Sequence, residues 1–161
     1  MSLACIVRRA CLALILLLPA LPLAAAEPAH DHSAHGTDRL ELDHGRKWAT
    51  DAPLREGMTT MRAALAAQLP AIHHDTLDAV GYERLAGTLG EAMQGIFAQC
   101  RLGPAADIQL HNLLVPMHAQ IQTMGSAAAL AERRAAAIAV IAALGEYGRF
   151  FEHPGWEPLG H

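Results

Sequence analysis

Residues 54–151 carry four apolar stripes at helical spacing, and the breaks between them admit few folds. Leu54, Met58, Met61, Leu65 and Leu69 recur at steps of four, three, four and four, which puts all five on one face of a helix. Tyr82, Leu85, Leu89, Met93, Ile96 and Cys100 repeat the pattern, followed by Leu110, Leu114, Met117, Ile121 and Met124. Leu130, Ala137, Ile141, Leu144, Tyr147 and Phe151 make the last stripe. An amphipathic helix has to bury its stripe against another element. Four such helices with short connections pack as antiparallel neighbours, so the spacing predicts an all-α, up-down-up-down four-helix bundle. The sequence contains no strand-like alternation, internal repeat or Gly-rich phosphate loop.

The breaks set the expected boundaries. Thr50-Asp51-Ala52-Pro53 reads as a helix start, with a capping side chain, an early acid and Pro in the first turn. Pro70 is expected to bend or end that helix, and a second is expected over residues 78–100. Gly81, Gly87, Gly90 and Gly95 lie within it; each costs about 1 kcal/mol relative to Ala but permits close helix contact. Gly103-Pro104 separates the second helix from a third, in which Pro116 predicts a kink or local break. Gly125-Ser126 reads as a C-cap followed by an N-cap, opening a fourth helix over residues 127–151. His153-Pro154-Gly155 ends it.

The first 26 residues have the order of a secretory signal peptide. Arg8 and Arg9 precede an apolar run over residues 10–18, Pro19 and Pro22 break it, and Ala24-Ala25-Ala26 offers a cut before Glu27. The run is shorter than the ~20 residues a membrane span needs. Neither Cys5 nor Cys11 follows the apolar core, so a lipid-anchored cysteine is not expected. The expected product is periplasmic and free of the membrane after cleavage. It comprises a flexible His-rich tail over residues 27–47, mobile to about His44, and a bundle domain over 48–161 onto which Trp48 docks. Cleavage removes two arginines and no acid, so the mature chain is more acidic than the net −4 of the whole. Without a Lys/Arg cluster it is a poor nucleic-acid binder. Of the three cysteines only Cys100 survives, which excludes an intramolecular disulfide. The lone thiol is then a small buried hydrophobe, a link to another chain, or a ligand.

All ten histidines also survive, and four residues of the tail stand close enough to share one ion: His30, Asp31, His32 and His35. Imidazole suits copper(II), zinc and nickel. Binding there is expected to be loose, because ordering a tail costs entropy. The run resembles His-rich stretches of periplasmic copper-resistance proteins; the alternative is a solvated linker with incidental histidines. A second candidate follows from the topology. The start of the first helix, the end of the second, the start of the third and the end of the fourth meet at one end of such a bundle. At about 1.5 Å per residue, Met58, Cys100, His111 and His153 all fall near that end. Thiolate and thioether with imidazole would favour copper(I). Each residue has a plain role as well: Met58 in the stripe, Cys100 buried, His111 on a helix shoulder shared with His118, His153 as a C-terminal cap. His73-His74 reads as a solvated turn.

Haem is the runner-up cofactor. Met58 and His153 are disposed roughly as the ligands of a b-type bundle such as cytochrome b562, but the alanine-rich fourth helix implies close packing. Covalent attachment is excluded, since there is no Cys-x-x-Cys-His. No His-Glu-x-x-His, Gly-x-Ser-x-Gly or paired Glu-x-x-His set appears, and no enzymatic activity is expected.

The stretches CRLGPAADIQLH at 100–111 and YGRFFEHPGW at 147–156 resemble small exported proteobacterial proteins often labelled DnrO-like. The likeness extends over residues 40–159 and implies a helical periplasmic domain, with no established activity. Its residues, Cys100, Leu102, Pro104, Asp107, His111, His153 and Trp156, coincide with the bundle end chosen by topology. Two functions are therefore expected: a protein that buffers or passes on copper or a similar metal, or a metal-free sensory or chaperone-like module that engages another periplasmic protein.

Overall fold

The computed structural model describes residues 40–160. Four helices follow in order: α1 (Ala52–His73), α2 (Ala79–Gln99), α3 (Pro104–Ser126) and α4 (Leu130–Phe150). Each packs on the next, α1 on α2, α2 on α3 and α3 on α4, giving the expected all-α four-helix bundle. The stripes supply its core. Leu54, Met58, Met61 and Leu65 are fully buried, as are Tyr82, Leu89, Leu113, Met124, Val140 and Tyr147. Leu69 packs half-buried at the margin. Leu130 departs from expectation and stands 47 % exposed, because Arg133 takes the buried position in the first turns of α4.

Several boundaries differ from those the sequence suggested. Pro70 does not end α1, which continues to His73 with the proline ring exposed. A proline so near the C-terminus forfeits one backbone hydrogen bond and little else. α3 runs through Pro116 as one helix. Gly125 and Ser126 are both in its last turn, where Ser126 Oγ donates to Gln122 O at 2.8 Å instead of capping α4. The N-cap of α4 is Ala129, which offers no side-chain acceptor. Gly87, Gly90 and Gly95 face open space. The close approach of α1 and α2 is instead at Gly57, where a Cβ would run into the Ile96 side chain.

Two neighbouring arginines close the end where α1 and α3 finish. The Arg133 guanidinium, 7 % exposed, donates from Nε to Ala127 O at 2.7 Å and from Nη1 to Gly125 O at 3.0 Å. Met124 O and Ala79 O accept longer bonds from the same nitrogen. Glu83 neutralises its other arm at 3.2 Å. Arg134 Nε donates to Ile72 O at 2.8 Å, and Nη2 reaches His73 O. Apart from Ala79 O, at the start of α2, these are carbonyls that a helix C-terminus leaves without partners, at the negative end of its dipole.

Both flanking segments fold onto the bundle. Residues 40–47, assigned on composition to the tail, begin with a buried Leu40, and Glu41 N donates to Gln109 Oε1 at 2.9 Å. Asp43 and Arg46 exchange backbone hydrogen bonds across His44 (φ 50°) and Gly45 (φ 83°), a two-residue turn with both centres left-handed. Trp48 docks as expected, bonded to Phe150 O by its amide and to Glu41 O by its indole. At the other terminus, Trp156 N donates to His153 O at 3.0 Å, with Gly155 at φ 76°. Pro154-Gly155 thus forms the centre of a type II turn. That turn returns the chain across α1 and α4, which pack less closely than the other neighbours. Trp156 lies over Gly148 and meets the Tyr147 ring edge-on at 4.9 Å. Arg62 of α1 holds Glu157 O.

Replacing Arg133 by Met should cost roughly 2–4 kcal/mol, since several buried carbonyls lose a charged donor together. Urea melts of the two proteins measure it; a loss below about 0.5 kcal/mol, the size of an ordinary surface change, would mean that the α3 terminus does not depend on this residue. Met61→Ala, at a fully buried position, should cost ~2–5 kcal/mol by cavity formation.

Candidate functional site

The end of the bundle singled out by topology forms as expected and is organised by Asp51. This residue is the N-cap of α1: its Oδ1 accepts from Leu54 N at 3.0 Å. Oδ2 accepts from Arg101 N at 2.6 Å, just past the C-cap of α2 at Cys100. The Cys100 thiol lies near enough to the same carboxylate for each to shift the other's ionisation. One side chain thereby joins the start of α1 to the end of α2. Burial pushes the Asp51 pKa up, but the Arg101 and Leu54 amides and the Cys100 thiol outweigh it and hold the group below its ordinary 3.8.

Asp51 has the opposite effect on Cys100. Burial first, then the nearby Asp51 carboxylate and the charge of Asp107, push the half-buried thiol up to about 12, against the pull of Arg101. A thiol in such surroundings stays protonated and unreactive at neutral pH. Tyr147 lies close by, fully buried on α4. Its phenol is raised well above the usual tyrosine range by burial, which outweighs Arg55, and by Cys100 and Asp51. Tyr147 Oη therefore keeps its proton and shares a hydrogen bond of 3.0 Å with His153 Nδ1. Burial and the Arg55 charge lower the His153 pKa, so the neutral ring is favoured.

The four donors expected at this end are placed differently from one another. Met58 is enclosed in the core with no exposed surface. Cys100 is engaged by Asp51. His111 stands 56 % exposed on α3, and its Nδ1 donates to Asp107 O at 2.9 Å. His153 lies beyond α4, held by Tyr147 and by Trp156, whose ring centroid is 4.9 Å away. Among the described residues no three His, Cys, Asp or Glu side chains are grouped to hold a metal ion. The donors share an end of the molecule but not a coordination shell. His30, Asp31, His32 and His35 lie outside the described residues.

Three residues central to this end escaped the sequence reading as functional groups: Asp51, Arg55 and Tyr147. Asp51 had a signal, since an acid immediately before Ala-Pro at a helix start is a cap. Arg55 and Tyr147 had none beyond helical position, because their partners come from Thr50 and from the segment after α4. No family model, curated protein or solved structure matches the chain.

Two measurements test this account of Cys100 and Asp51. With a pKa of about 12, only about one thiol in ten thousand is ionised at pH 8, so alkylation by iodoacetamide should be slow. Asp51→Asn keeps a capping side chain and removes the charge, and should speed that reaction severalfold. Native alkylation as fast as that of the unfolded chain would contradict the assignment. Because the folded state lowers the Asp51 pKa, its stabilisation is complete above 3.8 and is lost as the pH falls through the folded value. The stability advantage of the native chain over Asp51→Asn should therefore shrink in that acid range.

Proposed function

We propose that the chain is an exported, non-enzymatic metal-binding protein of the periplasm, taking up copper or zinc through His30, Asp31, His32 and His35, with the bundle as its carrier. The observation that carries this reading is the run His30-Asp31-His32-Ser33-Ala34-His35-Gly36, which ends four residues before Leu40, a buried anchor on the bundle. Imidazoles so close in sequence favour transition metals. Within the bundle, the contacts of Cys100, His111 and His153 weigh against a shared site there. The signal-peptide order of residues 1–26 and the likeness to DnrO-like exported proteins support the compartment. Among the described residues no helix is long and apolar enough to cross a membrane, in keeping with that reading.

A second reading, an interaction module for another periplasmic protein, is favoured by the outer face of α3. Ile108 and Val115 stand seven residues apart there, 61 % and 60 % exposed, the spacing at which two side chains share a helix face.

Calorimetric titration of the mature chain with copper(II) and with zinc(II) separates the two. The triple variant His30→Ala, His32→Ala, His35→Ala should lose the binding while its melting temperature without metal stays unchanged. Equal binding by the variant and the native chain would remove the His-rich run from the function.

A further inference from the structure

A cleft of about 660 Å³ opens beside the first turns of α1, lined by Thr50, Arg55, Glu56, Thr59, Glu152 and His153 among others. Its size falls within the ~300–1,000 Å³ typical of small-molecule sites. The guanidinium in it is only half used. Arg55 Nη1 donates to Thr50 O at 2.6 Å and to Thr50 Oγ1 at 3.0 Å, which takes up both of its hydrogens and fixes the plane of the group. Nε and Nη2 have no protein acceptor, and no carboxylate pairs with Arg55 among the described residues. That edge offers the parallel N–H pair that a carboxylate accepts bidentately.

The rest of the lining narrows the ligand. Tyr147 occupies Nδ1 of His153, so Nε2 is the ring nitrogen left for a ligand. Glu56 and Glu152 are exposed and take part in no ion pair among the described residues. Two carboxylates beside one guanidinium disfavour a dianion such as phosphate and favour a ligand that also carries a positive charge.

We propose that this cleft binds a small zwitterion of the amino-acid type, its carboxylate on the Nε/Nη2 edge of Arg55 and its ammonium toward Glu152 and Glu56. The lining residues named are none of those of the His-rich run, and the binding proposed does not depend on a metal. Trp156, stacked obliquely against His153 at 4.9 Å, provides a reporter.

The test is an NMR titration of the ¹⁵N-labelled mature chain, with EDTA present so that metal plays no part. The probes are glycine, acetate, methylammonium and inorganic phosphate. Glycine should shift the Arg55 Nε–H and Trp156 indole signals saturably and bind several-fold more tightly than acetate, with methylammonium and phosphate weaker still. Arg55→Gln should weaken glycine roughly tenfold or more, about 1.4 kcal/mol. Glu152→Gln, which removes a carboxylate with no ion-pair partner, should bring glycine down to the affinity of acetate. That variant decides the matter if Arg55→Gln does not fold. The proposal is overturned by no saturable shift with glycine, by equal binding of glycine and acetate to the native chain, or by a glycine preference that survives Glu152→Gln.

Discussion

Four helices packed side by side leave many backbone groups unpaired at the two ends of the bundle, and satisfying them governs this structure. At one end the unpaired groups are carbonyls, and two cations answer them. Arg133 serves the end of α3 and Arg134 the end of α1. At the other end amides need acceptors, and the anion Asp51 takes those of Leu54 and Arg101. The signs match the helix dipoles at the ends of α1 and α3, which face cations, and at the start of α1, which faces an anion. Each group also joins two segments distant in sequence, so capping and assembly are one interaction. Burying Arg133 is tolerable because Glu83 and several carbonyls surround it. Without them the desolvation cost would exceed any packing gain.

The second constraint is the small inner face of α4. Ala136, Ala137, Val140 and Ala143 are buried there, and residues of this size let helices approach closely. α3 takes that contact, while α1 packs mainly on α2 and only loosely on α4. The seam between α1 and α4 has to be covered by something else. The turn at Pro154-Gly155 sends Trp156 back over Gly148, where a side chain larger than hydrogen would strike the indole. Arg62 secures the returning chain. Phe151 and Trp156, which follow the helix rather than belong to it, thus complete its packing.

The helices and their inward faces were legible because a 3.6-residue period states them directly. Nearly every residue of the four stripes is buried; Leu69 and Cys100 are half-buried at helix ends, and the one exposed residue, Leu130, lies where a buried arginine displaced an apolar side chain. Periodicity cannot reveal that an arginine faces inward, since its acceptors are backbone carbonyls of Met124, Gly125 and Ala127 that have no sequence signature. For the same reason Gly125-Ser126 looked like a boundary: the local cap signal was present, but Arg133 supplies the termination from the next helix. The convergence of Cys100, His111 and His153 on one end was legible from topology. What each ring or thiol bonds to was not, because Asp51, Asp107 and Tyr147 are chosen by helix rotation and by the turn after α4.

Charges of opposite sign act at the organised end of the bundle, and both reach Tyr147. Cys100 is surrounded by negative charge from Asp51 and Asp107 and by apolar packing, both of which disfavour its anion. A thiol held in its protonated form is a poor nucleophile and is slow to oxidise. Arg55, which lines the cleft, supplies positive charge that reaches both Tyr147 and His153. Tyr147 keeps its proton because burial outweighs the attraction of Arg55 for its phenolate. The neutral phenol shares a hydrogen bond with His153, whose neutral ring is favoured by burial and by the Arg55 charge. Asp51 and Arg55, four residues apart at the start of α1, thus act with opposite sign on one buried hydroxyl, which keeps its proton because burial dominates both.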